Sequence, residues 1–377
     1  MSGIYFHIPF CHKACNYCDF HFSTTFAKYK GELLNCISHE IQLRNKELTS
    51  PIRSIYFGGG TPSILSATEI NNILKQCKRF FQFSDDVEIT IEANPEDISF
   101  EKSLKLVNVG VNRLSIGIQS FQDNVLKWMH RSHNSETAIK CIEDAQRAGI
   151  SNISLDLIYG LPKHLKRNLK KDINRLIELN VQHISAYNLT VEDRTMLSNW
   201  VKKKRYIMPE EEVCSSEYEL VLKTLQTAGY QQYEISNFSK KGYRSRHNTS
   251  YWRMTPYLGI GPSAHSYDGK RTRKWNISNN QQYIKMIKED DFKIKKELLS
   301  DVDLANELIL LGSRTTFGVP INKVLSYLNQ KQKSMFLEQL DLLKVKNFIF
   351  IKEEHFFVND KKRFLSDYIA RELIILS

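Results

Sequence analysis

Cys11, Cys15 and Cys18 fall within eight residues, in the spacing Cys-x3-Cys-x2-Cys. Three thiolates on one short loop can wrap one face of a metal centre. Structural zinc takes four protein ligands, and His12 and His21 are nearby candidates for the fourth. A [4Fe-4S] cluster held by three cysteines has one iron without a protein ligand, and that iron can chelate a small molecule. Thiolates suit both metals, so ligand softness does not decide between them. Zinc sites built on this spacing usually carry two Cys-x2-Cys pairs, and no second pair exists here. That counts against zinc and leaves the cluster open. Cys36, Cys77, Cys141 and Cys214 stand alone in helical stretches and read as small buried hydrophobes. An odd count of seven argues against a disulfide framework.

Further polar residues recur where short apolar runs end. Strands are expected at Ile4–Ile8, Ser54–Phe57, Val87–Glu92, Arg113–Ile118, Ile153–Leu157 and His183–Asn188. The cysteine loop follows the first and Gly58-Gly59-Gly60-Thr61-Pro62 the second. Glu92 ends the third, Gln119 follows the fourth, and Asp156 lies in the fifth. Amphipathic helices are expected between them, over Phe26–Glu47, Ser66–Phe81, Ser99–Val109, Ser135–Ala148 and Leu165–Leu179. Strand then helix, repeated, means parallel strands with crossover helices. Ligands of such folds bind at the C-terminal strand edge, so these residues should face one cleft. Periodicity alone does not choose between an open sheet and a partly closed barrel.

After about residue 190 the pattern changes. A helix is expected from Pro209 to Ala228, then a polar, aromatic segment from Ser236 to Trp275. From Asp301 three helical stretches precede two short strands, Phe348–Ile351 and Phe356–Val358, and a last helix, the order of a winged-helix-like module. The expected division is a core over 1–235, a connecting segment over 236–299 and a C-terminal domain over 300–377.

The chain has 377 residues, 41% hydrophobic and 25% charged, as in folded globular proteins. No apolar run approaches the roughly 20 residues that span a bilayer. The first residues carry no basic stretch or cleavage site of a signal peptide, so a cytoplasmic location is expected, with room for peripheral membrane association. Net charge is +11, but the basic residues are scattered, and the densest run, Lys202–Arg205, is short. No nucleic-acid partner is expected.

Longer motifs carry a resemblance. The cysteine spacing, with Tyr17 before the last cysteine, resembles the loop of the radical S-adenosylmethionine superfamily. Tyr-x-His-Ile-Pro-Phe-Cys at 5–11, Glu92-Ala93-Asn94-Pro95, Arg113 through Phe121 and Asp156 through Pro162 resemble the coproporphyrinogen III dehydrogenase-like family. The likeness covers essentially the whole chain. It implies a radical-SAM partial (β/α)6 barrel with a smaller, mostly helical, winged-helix-like C-terminal domain. It implies that Cys11, Cys15 and Cys18 ligate a [4Fe-4S] cluster. Tyr5, Tyr17, Gly59, Gly60, Thr61, Glu92, Gln119, Arg131 and Asp156 would line the S-adenosylmethionine site. Arg131 suits a carboxylate and the two acids suit ribose hydroxyls.

Two departures matter. The dehydrogenase has a further cysteine two residues after the triplet, where this chain has Phe20, and it carries an N-terminal extension before its first strand, which here begins at residue 4. Both match the family's haem-chaperone branch, as does His247-Asn248-Thr249-Ser250-Tyr251-Trp252. Neutral imidazole is a common haem ligand, and Tyr251 and Trp252 offer flat apolar surface to a porphyrin. Taken alone, His247 reads better as a hydrogen-bonded loop histidine. The resemblance implies haem-binding roles for His247, Asn248, Tyr251 and Trp252 without assigning the iron ligand. Arg244, Arg246 and Arg253 flank the motif as candidates for propionates. The resulting expectation is a haem carrier that delivers to a membrane or respiratory haem protein, with a homodimer left open. The alternative is the oxygen-independent dehydrogenase, in which a radical derived from S-adenosylmethionine drives two decarboxylations of coproporphyrinogen III.

Overall fold

Six apolar runs become six parallel strands: β1 (Ser2–Ile8), β2 (Ile52–Gly59), β3 (Phe83–Ala93), β4 (Arg113–Gln119), β5 (Asn152–Tyr159) and β6 (His183–Asn188). This computed structural model describes residues 2–289 and 293–376. Each strand pairs with the next in chain order, β1 through β6. Ile4, Phe6 and Ile8 of β1 are completely buried against the helical layer, while Gly3, Tyr5 and His7 point to the other face of the sheet.

The crossovers are α1 (Lys30–Leu43), α2 (Ala67–Phe80), α3 (Phe100–Asn108), α4 (Asp123–Trp128), α5 (Ser135–Arg147) and α6 (Leu169–Glu178). Side chains start several of them: Ser66 and Glu69 form a capping box on α2, and Ser99, Asn134 and Asn168 cap α3, α5 and α6. The first helix is shorter than its periodicity predicts. Residues 26–29 form a turn in which the Phe26 carbonyl accepts from Tyr29 and Lys30. The sixth starts late because Asn168, not Leu165, supplies the cap.

After α7 (Met196–Lys202) and α8 (Glu211–Thr227), the chain adds to both edges of the same sheet. β7 (Gln231–Gln232) and β8 (Asn237–Ser239) extend it beyond β6. Past α9 (Arg246–Trp252), β9 (Tyr257–Ile260) pairs parallel with β1, followed by β10 (His265–Tyr267), β11 (Thr272–Trp275), α10 (Asn280–Lys288) and β12 (Lys295–Leu298). The connecting segment thus builds both flanks of the sheet, and Leu258, Ile260 and Tyr283 join the main core. The twelve-stranded order β12-β11-β10-β9-β1-β2-β3-β4-β5-β6-β8-β7 does not close on itself.

The C-terminal unit runs α11 (Asp301–Ser313), β13 (Val319–Pro320), α12 (Ile321–Ser326), α13 (Gln330–Val345), β14 (Ile349–Lys352), β15 (His355–Val358) and α14 (Ser366–Leu373). It has its own apolar cluster around Ile309, Phe336, Leu340, Phe356 and Ile369. Among the described residues no helix is long and apolar enough to cross a membrane.

Candidate functional site

The loop after β1 is closed at its base. Phe10, wholly buried, forms a bridge with Ser23, and Cys11 N–H donates to the Ser23 carbonyl at 3.1 Å. The residues between hang over the C-terminal strand edge. The glycine run of β2 passes directly beneath, with Gly60 N–H on the Ile8 carbonyl at 2.9 Å and Thr61 N–H on the Phe10 carbonyl at 2.6 Å. A Cβ on Gly60 would lie 2.7 Å from that Phe10 oxygen. Gly59 has φ +107, and its Cβ would lie 2.7 Å from the His7 ring. Only glycine fits either position.

A cavity of about 560 Å³ opens there. Cys11, Cys15, Cys18, Tyr17, Gly59, Gly60, Thr61, Glu92, Gln119, Arg131 and Asp156 all line it. Tyr5 is the exception: it is absent from that lining, stacks on Tyr56 beside it and lines a second cavity. Asn94 and Asn188 also line the first cavity, although the sequence assigned neither of them a role. The signal for Asn188 was its place at the end of a strand, the same signal that marked Gln119.

The polar groups are aimed at something. Gln119 Oε1 and Asp156 Oδ1 are buried and have no hydrogen-bond partner among the described residues, while Asn188 Oδ1 is turned toward Gly160 and Cys214. Gln119 has φ 69, a left-handed conformation that costs energy in a non-glycine residue, and the β4–β5 register shifts at this point. Glu92 accepts from the Tyr56 hydroxyl at 2.8 Å and from Gly59 N–H at 3.1 Å. Burial pushes the Asp156 carboxyl up to about 7, and the neighbouring charge of Glu92 adds to the effect. Such acids and amides match the hydroxyl and amino groups of a nucleoside and an amino acid.

Arg131 ties the cysteine loop to the strand edge. One terminal nitrogen donates to Asn94 Oδ1 and to the Gly117 carbonyl, both at 2.7 Å, and the other lies 3.4 Å from Cys15 Sγ. The neighbouring His130, also left-handed at φ 62, holds the Ala14 carbonyl through Nδ1 at 2.7 Å. Thr61 Oγ1 donates to Cys11 Sγ at 3.3 Å. Burial pushes the Cys11 and Cys18 thiols up to about 11 and about 12. Metal binding at these thiols therefore releases protons. Neither candidate fourth zinc ligand joins the three thiols. His12 is paired with Asp97 at 3.9 Å, and His21 Nε2 is held by Asn280 Oδ1 at 2.8 Å. Three soft donors with no fourth among the described residues, beside unpartnered polar atoms, fit a three-cysteine [4Fe-4S] cluster and its small-molecule ligand.

The second cavity, about 400 Å³, lies behind the loop and is lined by Tyr5, His7, Phe20, His21, Tyr251, Tyr257 and His265. Phe20 is 61% exposed and lines both cavities. Of the four haem candidates only Tyr251 faces this space. His247 is 1% exposed, with Nδ1 3.0 Å from Ser54 Oγ and Nε2 2.8 Å from the Tyr251 hydroxyl. Burial pushes its pKa down to about 3. Asn248 and Trp252 lie on α9 outside the cavity lining. The flanking arginines are engaged elsewhere: Arg246 pairs with Asp86 at 2.8 Å, Arg253 lies over Phe317 at 4.4 Å and Arg244 lies over Tyr233 at 5.7 Å.

Residues 5–176 match the model of the radical SAM superfamily. The heme chaperone HemW of Bacillus subtilis (strain 168) is 34% identical over 373 residues, with 98% of each chain covered. The heme chaperone HemW of Lactococcus lactis subsp. lactis (strain IL1403) is 31% identical over 374 residues, covering 99% of this chain and 97% of the relative. Among solved structures, the coproporphyrinogen III oxidase HemN of Escherichia coli, a radical SAM enzyme, superposes with a TM-score of 0.83 at 23% identity, over 99% of this chain and 90% of that one. At that identity the likeness speaks to the fold. With the three-cysteine loop, the strand-edge cavity and relatives matched along nearly their whole length, the chain belongs to the HemW family of haem chaperones.

Proposed function

We propose that the protein carries haem in the cavity behind the cysteine loop, under the control of the cofactor cavity in front of it. Cys11, Cys15 and Cys18 hold the cluster in this reading. Gly59, Gly60, Thr61, Glu92, Gln119, Arg131 and Asp156, with Tyr17, receive S-adenosylmethionine. A bound cluster with an open iron supplies a chelation point for the amino-acid end of that molecule and a store for one electron. Glu92 and Asp156 orient hydroxyl groups, and Arg131 fixes the cysteine loop against the strands.

One observation carries the reading. An aromatic stack along one face of the sheet, the face away from the helices, joins the two cavities. Glu92 accepts from Tyr56, the Tyr56 ring lies 4.9 Å from the His247 ring, and His247 bonds to Tyr251, which lines the second cavity. Tyr5 stacks on both Tyr56 and His247, each at 6.2 Å. A ligand that displaces Glu92 on one side therefore moves groups that touch the wall of the other. His247, Asn248 and Trp252 serve the haem site as its frame, and Tyr251 serves as its wall. The recipient is a membrane or respiratory haem protein, and the net charge of +11 favours approach to an anionic surface.

The test offers haem and coproporphyrinogen III in parallel to protein purified without oxygen and reconstituted, with reductant and S-adenosylmethionine present. A stoichiometric Soret band with no porphyrinogen conversion supports the carrier. Turnover to protoporphyrinogen would overturn it in favour of the dehydrogenase.

A further inference from the structure

We infer that the haem iron is ligated by His265, the exposed imidazole on β10. This rests on the haem-carrier reading and goes beyond it by naming the iron ligand and the orientation of the porphyrin.

His247 is a poor ligand as folded. Both its ring nitrogens are engaged, and its ring is stacked under Tyr5 and Tyr56, so iron would reach it only if that stack opened. The second cavity holds three other imidazoles. His7 is buried, with Nδ1 3.2 Å from the Tyr5 hydroxyl and Nε2 2.8 Å from the His21 carbonyl. His21 has one nitrogen committed to Asn280. His265 differs from both. No hydrogen bond among the described residues engages either of its ring nitrogens, and the ring lies flat against Trp275, with centroids 5.9 Å apart and planes 17° apart. Stacking fixes the ring and leaves its lone pair to the cavity.

The hairpin around it brings a cation to the same face. His265 pairs across with Trp275, and Tyr267 pairs with Arg273. Residues two apart on a strand share a face, so Arg273 lies about 7 Å along the strand from the His265–Trp275 pair, on the same side. Arg273 lines an adjoining pocket of about 160 Å³, which shares Tyr251 and Tyr257 with the histidine cavity. A flat apolar ring packed against Tyr251 and Tyr257, whose planes are 71° apart, would meet the face of one and the edge of the other, with its iron at His265 and a propionate within reach of Arg273, which now pairs with Glu307. Partial burial and the charge of Arg273 lower the pKa of His265, so its imidazole is neutral and able to coordinate at pH 7.

The experiment titrates the full-length, cluster-reconstituted chain with haemin and reads the Soret band and the axial-ligand signature by electron paramagnetic resonance. His265→Ala is expected to lose the histidine signature and weaken haem binding about tenfold or more, with the cluster absorbance intact. Added imidazole is expected to restore the spectrum in His265→Gly, and His21→Ala is expected to keep it. If wild type binds haem and His265→Ala gives the same spectrum and titration, or if His21→Ala alone removes the signature, the inference is overturned and the carrier reading stands. If wild type binds no haem, both are overturned.

Discussion

The His247 Nε2 atom lies 2.8 Å from the Tyr251 hydroxyl, one helical turn further along α9, while Nδ1 meets Ser54 on β2. The histidine therefore bolts α9 onto the sheet. Gly3 makes room for it, since a Cβ there would lie 2.9 Å from Ser54 Oγ and 3.3 Å from His247 Nδ1. Replacing His247 with Ala leaves two hydroxyls without their partner and a void inside the aromatic stack. The expected loss is about 2–4 kcal/mol of stability. Denaturant titration of the apo chain checks this, with iron content measured in parallel and expected to be unchanged. An unfolding midpoint equal to wild type would remove the brace from the account.

Cluster ligation separates the cysteines into two classes. Cys15→Ser leaves two thiols at the loop, and iron should fall from about four atoms per chain to near zero. Cys77→Ser should keep full iron, because Cys77 is wholly buried in α2, far along the chain from the loop. Its cost should be one of stability alone, about 1 kcal/mol, for burying a hydroxyl in an apolar setting. Iron and sulfide assays with thermal melts discriminate the two, and a cluster-bearing Cys15→Ser protein would refute the ligand set.

Arg131 holds Asn94, Gly117 and Cys15 at once through a planar fork, a geometry that an ammonium group cannot copy. Arg131→Lys should therefore behave like Arg131→Ala, with S-adenosylmethionine affinity reduced about 10- to 100-fold in equilibrium dialysis. Rescue to near wild-type affinity by Lys would mean that charge, not the fork, is what the site requires.

Much of this site is legible in the sequence, and the reason is local. Glu92, Gln119 and Asp156 interrupt or end apolar strands, and polar residues at such places are affordable only where the sheet edge opens to a ligand. In β1 the alternation of Ile4, Phe6 and Ile8 against Tyr5 and His7 even separates the face under the helices from the face toward the interior. What stayed hidden depended on distant pairing. Tyr257–Ile260 is a four-residue strand whose partner is β1, some 254 residues earlier, and no local period reports that register. The destination of His247 was hidden for the same reason: its neighbours Ser54, Tyr56 and Tyr5 come from two other strands.

A pH effect tests the joint between the sheet and the C-terminal unit. Glu234 is 1% exposed and bridges to Thr315, and its Oε1 accepts from Ser236 N–H at 3.1 Å. Burial pushes this carboxyl up to about 7, against 4.5 for an ordinary glutamate. Between those two values the native state holds a proton that the unfolded chain has released. Stability therefore falls as pH rises from about 4.5 to about 7, because the buried group must then ionise. Gln keeps the accepting oxygen and carries no charge. Glu234→Gln should match wild type at pH 4.5 and exceed it by about 1–3 kcal/mol at pH 8. Urea midpoints at the two pH values measure the difference directly. An equal shift at both would show that Glu234 acts through packing and not through its proton.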